Sequence, residues 1–130
     1  MQVEINPSEY TVLIVDDTIA NVLLLKVLIG NQKYRIVTAG NGMEALQAVE
    51  KESPDLILLD IMMPGMNGYE VAEKLKADPQ TQEIPIIFLT ARVEDMDKID
   101  GFAAGGDDYV TKPFNATELL LRLEANIRRH

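Results

Sequence analysis

Asp16, Asp17, Asp60, Thr90 and Lys112 each follow a short apolar run: Leu13-Ile14-Val15 before Asp16-Asp17, Leu56 to Leu59 before Asp60, Ile86 to Leu89 before Thr90, and Val110-Thr111 before Lys112. If those runs are strands of one open parallel sheet, their carboxyl ends emerge along a single edge. Residues spread over nearly the whole chain would then meet in one crevice. Three carboxylates placed that close repel one another and resist ionisation unless a cation sits among them, so the cluster implies a divalent metal. The lysine adds a second positive charge and the threonine a hydroxyl. A metal, an ammonium and a hydroxyl around a carboxylate suit the uptake of a phosphoryl group by that carboxylate.

Taken singly, none of these residues says much. An Asp-Asp pair after a strand is more often a turn or a helix cap, and a lysine before Pro113 is more often a solvated loop residue. The argument rests on their joint placement. The remaining composition narrows the field. There is no cysteine and one histidine, which excludes thiolate and histidine metal sites, a cysteine nucleophile and a disulfide framework. A net charge of −9 argues against a nucleic-acid-binding surface, because a phosphate backbone must be met by clustered Lys and Arg. Val22 to Ile29 is apolar but interrupted by Lys26, too short for a bilayer, and the start Met1-Gln2-Val3-Glu4 lacks the basic region of a signal peptide. A cytoplasmic protein without membrane contact is expected.

The elements that must position these residues are readable from periodicity. After a polar lead over residues 1–10, one domain is expected over 11–130. Thr11 to Val15, Arg35 to Thr38, Leu56 to Leu59, Ile86 to Leu89 and Asp108 to Thr111 are short, β-branched or continuous apolar runs, hence strands. Helices are expected over Asn21 to Gly30, after Asn41-Gly42 (Met43, Leu46 and Val49 on one face), around Val71 and Leu75 up to Asp78-Pro79, from Glu94-Asp95 to Gly105-Gly106, and after the cap Asn115 (Leu119, Leu120, Leu123 and Ile127). The segment Met62 to Gly68 reads as turn chemistry. Strand and helix alternate five times, which predicts a doubly wound α/β sandwich with helices on both faces. Strand two ends blandly at Thr38-Ala39-Gly40, so it belongs outside strand one, giving order 2-1-3-4-5.

The segments Leu13 to Asp17, Leu58 to Gly68, Phe88 to Ala91 and Gly106 to Phe114 together resemble the receiver domain of two-component response regulators, over about residues 11 to 129. The resemblance implies a flavodoxin-like, CheY-like fold and a set of roles. Asp60 would accept a phosphoryl group from a histidine kinase or phosphotransfer protein. Mg²⁺, with Mn²⁺ as a substitute, would be held directly by Asp17, Asp60 and the main-chain carbonyl of Met62, and by Asp16 largely through water; Asp17 is expected to lie deeper in the crevice than a cap residue would. Lys112 would pair with the acyl phosphate and Thr90 would hydrogen-bond it. Tyr109 would turn inward as Thr90 moves, or else is a half-buried edge aromatic. Ala91, Met62 and Arg92 would govern access to the phosphoryl group. Gly106 stands where the family commonly has Ala, which is expected to loosen the turn before strand five.

On this reading the chain is a signalling switch and not an enzyme with an external substrate; it would catalyse only its own phosphoryl uptake and slow loss. It would be either a stand-alone receiver or one cut from a larger regulator or hybrid kinase. A phosphorylation-dependent homodimer is expected through a face carrying Lys98, Phe102, Asp108, Glu118, Arg122 and Arg129, pairing Lys98 with Glu118 and Asp108 with Arg129. There Arg122 meets Ala104 in place of an acid, while Phe102 is either an anchor or part of its own core. Three other classes fit less well. A haloacid-dehalogenase-type phosphatase resembles Asp-x-Asp at its nucleophile, but Met62 stands two beyond Asp60. A flavodoxin needs a hydroxyl-rich phosphate loop where Asp16-Asp17 stand, and no Gly-x-x-x-x-Gly-Lys segment occurs.

Overall fold

Five short runs, the central three dominated by Val, Ile and Leu, become the strands Thr11–Val15 (β1), Arg35–Ala39 (β2), Leu56–Asp60 (β3), Ile86–Thr90 (β4) and Asp108–Thr111 (β5). The computed structural model describes residues 5–91 and 106–129. The strands form one parallel sheet in the order β2-β1-β3-β4-β5. The three central strands are buried from end to end, as continuous apolar runs covered on both faces must be. Side chains alternate between faces, so Leu13, Val15, Ile57, Leu59 and Phe88 form one core layer, and Val12, Ile14, Leu56, Leu58, Ile87 and Leu89 the other.

Helices Gly42–Glu52 (α2) and Gly68–Ala77 (α3) cover the first layer with Val49, Val71 and Leu75, while Ile19–Gly30 (α1) and Ala116–Arg129 (α4) cover the second with Leu25, Ile29, Leu119 and Leu123. The asparagines do the capping. Asn41, Asn67 and Asn115 accept hydrogen bonds from the backbone N–H of Glu44, Glu70 and Glu118, each three residues on. No helix among the described residues is long and apolar enough to cross a membrane.

Several boundaries differ from expectation, for physical reasons. Strands β2, β3 and β4 each run one residue further, because Ala39, Asp60 and Thr90 still have ladder partners in Val15, Leu89 and Thr111. Helix α1 starts at Ile19, two residues early. Within the lead, Pro7–Glu9 is a 3₁₀ turn, and Ile5 and Tyr10 pack against the second layer. Gly68 is not in a turn but is the first residue of α3, where Asn67 and Glu70 form a reciprocal capping box. At Gly106 a Cβ would lie 2.2 Å from the Phe88 ring, so a bare backbone is what lets that ring fit. The helix expected from Glu94 to Gly105, with Arg92, Lys98, Phe102 and Ala104, lies outside the described residues.

Candidate functional site

The register of the sheet builds the site. Val15 pairs with Leu59 and Leu89 with Asp60, so Asp16 and Asp60 leave adjacent strands at the same level. Both are buried, Asp16 to 1% and Asp60 to 3% exposure. Lys112 follows β5, and its N–H donates to the Thr90 carbonyl at 2.7 Å, which ties the turn to the end of β4. The Lys112–Pro113 peptide bond is cis. From this turn Nζ reaches across β4 to lie 3.1 Å from Asp60 Oδ1 and 3.3 Å from Asp16 Oδ2. One ammonium thus bridges two buried carboxylates. Thr90, also buried, ends the strand between them.

Asp16 also performs the ordinary turn-capping task. Its Oδ1 accepts from the Thr18 N–H at 2.9 Å and its Oδ2 from Asn21 Nδ2 at 3.2 Å. Asp17 is exposed and does not lie deep in the crevice as expected: Asp16 is the inner residue and Asp17 the outer. Successive side chains leaving a strand point to opposite sides, so one of two neighbours is turned inward and the other sits at the rim of the crevice. The three carboxylates nonetheless converge, each offering an oxygen within 4.8 Å of the others. All donors in the set are oxygens, which suits a hard cation such as Mg²⁺ and not a thiophilic metal. This acidic pocket can hold a metal ion.

The charge balance leads to the same conclusion. Burial, and then the neighbouring Asp16, push the Asp60 carboxyl from 3.8 up to about 6, against the opposing pull of Lys112. One lysine does not offset two buried acids. The Met62 N–H donates to Asp60 Oδ1 at 3.3 Å while its side chain points to solvent, and Ala91 is exposed just beyond β4. Arg92 lies outside the described residues. Gly68, missed as a site residue, sets the backbone here: a Cβ on it would lie 2.4 Å from the Asp60 carbonyl oxygen and 2.9 Å from Ile61 Cα. Its N–H donates to the Ile61 carbonyl at 3.0 Å. The signal was present, since Asn67-x-x-Glu70 is a capping-box pattern.

Of the residues read as a pairing face, Asp108, Glu118, Arg122 and Arg129 are described, and they contact one another within the chain. Arg122 lies 2.5 Å from Asp108 Oδ1 and 3.4 Å from Glu118 Oε1. Asp108 is thus engaged by Arg122 and by Asn126, whereas Arg129 donates to Asn126 Oδ1. Tyr109 is half-buried, with the Arg122 guanidinium over its ring.

A five-stranded parallel sheet in this order, with buried acids and a bridging lysine at its carboxyl edge, defines a class of protein. The sequence matches the response regulator receiver domain over residues 12–124, and the chain belongs to that family and to two-component signalling. Among relatives, it is 45% identical to the phosphate regulon transcriptional regulatory protein PhoB of Pseudomonas aeruginosa over 119 residues, 92% of this chain and 52% of that one. It is 44% identical to the transcriptional regulatory protein YvrH of Bacillus subtilis, covering 92% of this chain and 49% of that one. The chain thus spans about half the length of these relatives. Solved structures agree in fold: the Vibrio cholerae chemotaxis protein CheY4 superposes with TM-score 0.83 at 33% identity, covering 89% of this chain and 97% of that one. The receiver domain of the sensor histidine kinase PA1611 of Pseudomonas aeruginosa, solved with magnesium in its active site cleft, gives 0.83 at 30% identity, covering 91% and 97%.

Proposed function

We propose that Asp60 is the phosphoacceptor of a two-component relay and takes its phosphoryl group from the phosphohistidine of a kinase or phosphotransfer protein. The observation that carries this reading is the Lys112 ammonium held between Asp16 and Asp60 beside a third acid. An Asp60 carboxylate oxygen attacks phosphorus, the P–N bond breaks, and its electron pair returns to the imidazole nitrogen of the donor. Lys112, already 3.1 Å from Asp60, stays to balance the charge left on the acyl phosphate. The Thr90 hydroxyl then donates to a phosphoryl oxygen, and Tyr109 moves toward the space Thr90 leaves.

Asp16, Asp17, Asp60 and the Met62 carbonyl are the residues that would hold Mg²⁺. Bound there, the ion neutralises charge on the phosphoryl oxygens and on the acids themselves. The output is a population shift between two conformations, read by a partner or by a further part of a longer protein. We place this switch, not a turnover enzyme, in a reducing, cytoplasmic compartment; the lack of cysteine supports the compartment. Phosphorylation would also favour a weak homodimer, checked by sedimentation of the activated protein. The central test is intact-mass analysis after acetyl phosphate treatment. One added phosphate is expected with Mg²⁺ and none without it, and persistence of the adduct in Asp60→Asn would overturn the assignment.

A further inference from the structure

The guanidinium of Arg122 serves three partners at once. Its Nη1 is 2.5 Å from Asp108 Oδ1, its Nε is 3.4 Å from Glu118 Oε1, and its Cζ sits 5.1 Å from the centre of the Tyr109 ring. The first and third partners are neighbours on β5; the second is one turn earlier on α4. A planar fork can satisfy two acids with its edge and still stack its face on an aromatic ring, a fixed geometry that a compact ammonium does not offer. The arrangement is braced from behind. Asp108 Oδ2 accepts from the Nδ2 of Asn126 at 3.1 Å, and the same nitrogen donates to the Arg122 carbonyl at 2.8 Å. Asn126 is itself buried to 1% exposure. Acid, guanidinium and ring therefore sit in one fixed set, and none of the phosphoryl chemistry uses it.

The ring that this set holds is the one the proposed switch must move. Tyr109 is the register partner of Phe88, and Thr90 follows two residues later on the same sheet face. If Tyr109 swings toward Thr90, its ring leaves the guanidinium, while Arg122 keeps both acids. The contribution of Arg122 to the cost of switching is then the stacking contact. We infer that Arg122 is a positioning residue that holds Tyr109 in its resting place and so sets how many unphosphorylated molecules occupy the switched form. This rests on the reading of Asp60 and Tyr109 given above. At a half-exposed site, release of one cation–π contact changes that population by about two- to fivefold.

The test uses beryllofluoride with Mg²⁺ as the phosphoryl stand-in, titrated calorimetrically into wild type, Arg122→Gln, Tyr109→Leu and the double variant. Arg122→Gln should bind it about two- to fivefold more tightly than wild type, and the same change in the Tyr109→Leu background should have no effect. Without beryllofluoride, the Tyr109 ring resonances of Arg122→Gln should move toward their bound-state positions. Arg122→Lys, which keeps a charge beside Asp108 but loses the flat face, should behave like Arg122→Gln and guards against a variant that misfolds. Unchanged affinity in both Arg122 variants overturns the inference, as does an equal change in both Tyr109 backgrounds, which would mean that Arg122 acts only through its acids. If beryllofluoride bound Asp60→Asn as well as wild type, the phosphoacceptor reading would fall instead, and the ring resonances would still decide the role of Arg122.

Discussion

Replacing Asp60 by asparagine should make the metal-free protein more stable at neutral pH, and the gain should grow with pH over a defined window. The carboxyl titrates at about 6 in the folded protein, against 3.8 ordinarily, chiefly because it is buried and secondly because Asp16 is close. A raised carboxyl pKa means that the folded state binds more protons than the unfolded state between those two values. Stability is therefore fully present below about pH 4, is lost as pH rises toward about 6, and is level above it. At about 1.4 kcal/mol for each pKa unit the loss is roughly 3 kcal/mol, which for a domain of this size is on the order of 10 °C in Tm. The amide in the Asp60→Asn variant does not titrate and escapes the loss. The variant also surrenders the ion pair with Lys112 at 3.1 Å, whose pull on Asp60 is already included in that figure, and Lys112 Nζ keeps Asp16 at 3.3 Å. Thermal or urea unfolding of both proteins in EDTA from about pH 4 to 8 should give curves that diverge between about pH 4 and 6 and then run parallel. Excess Mg²⁺ should close the gap at neutral pH by raising the wild type alone, since binding to the native state adds stability by mass action. A difference between the two proteins that is constant across the whole range would refute the electrostatic account of the site.

Four further outcomes follow from the same geometry. Asp17→Ala should weaken Mg²⁺ binding strongly in a fluorescence or NMR titration while leaving stability nearly unchanged, because Asp17 is exposed and takes no part in the core. Lys112→Ala should lose the beryllofluoride-induced shifts at Thr90 and Tyr109 by NMR, even if some phosphorylation survives; wild-type shifts would contradict its coupling role. Gly106→Ala should cost about 1–3 kcal/mol by overpacking against Phe88, and Phe88→Met should recover most of it in denaturant melts, because an unbranched side chain can yield where a ring cannot. Met62→Asn should shorten the lifetime of the aspartyl phosphate, measured by loss of intact mass over time, since an exposed thioether is replaced by an amide able to orient a water.

The sheet, its strand order and the group of residues gathered at its edge were all legible in local pattern. Continuous apolar runs in the central strands, helical periodicity between them and polar residues at the strand ends each depend only on a few neighbours along the chain. That is why Asp16, Asp60, Thr90 and Lys112 could be assembled from residue order. The internal ordering of the site is not local. Asp16 and Asp17 are alike as letters, and only the pleat at the end of β1 decides that Asp16 enters the crevice while Asp17 stays on the rim. Arg122 meets Asp108 of its own chain, fourteen positions earlier, because α4 lies along β5, and spacing alone does not show that contact. Gly68, read as part of a turn, and Gly106 are sites of close approach, to the backbone of Asp60 in one case and the ring of Phe88 in the other. Spacing along a strand or helix says where the backbone goes. Which side chain faces which is settled by packing across elements, where a difference of one position or one methyl group exceeds the free space available.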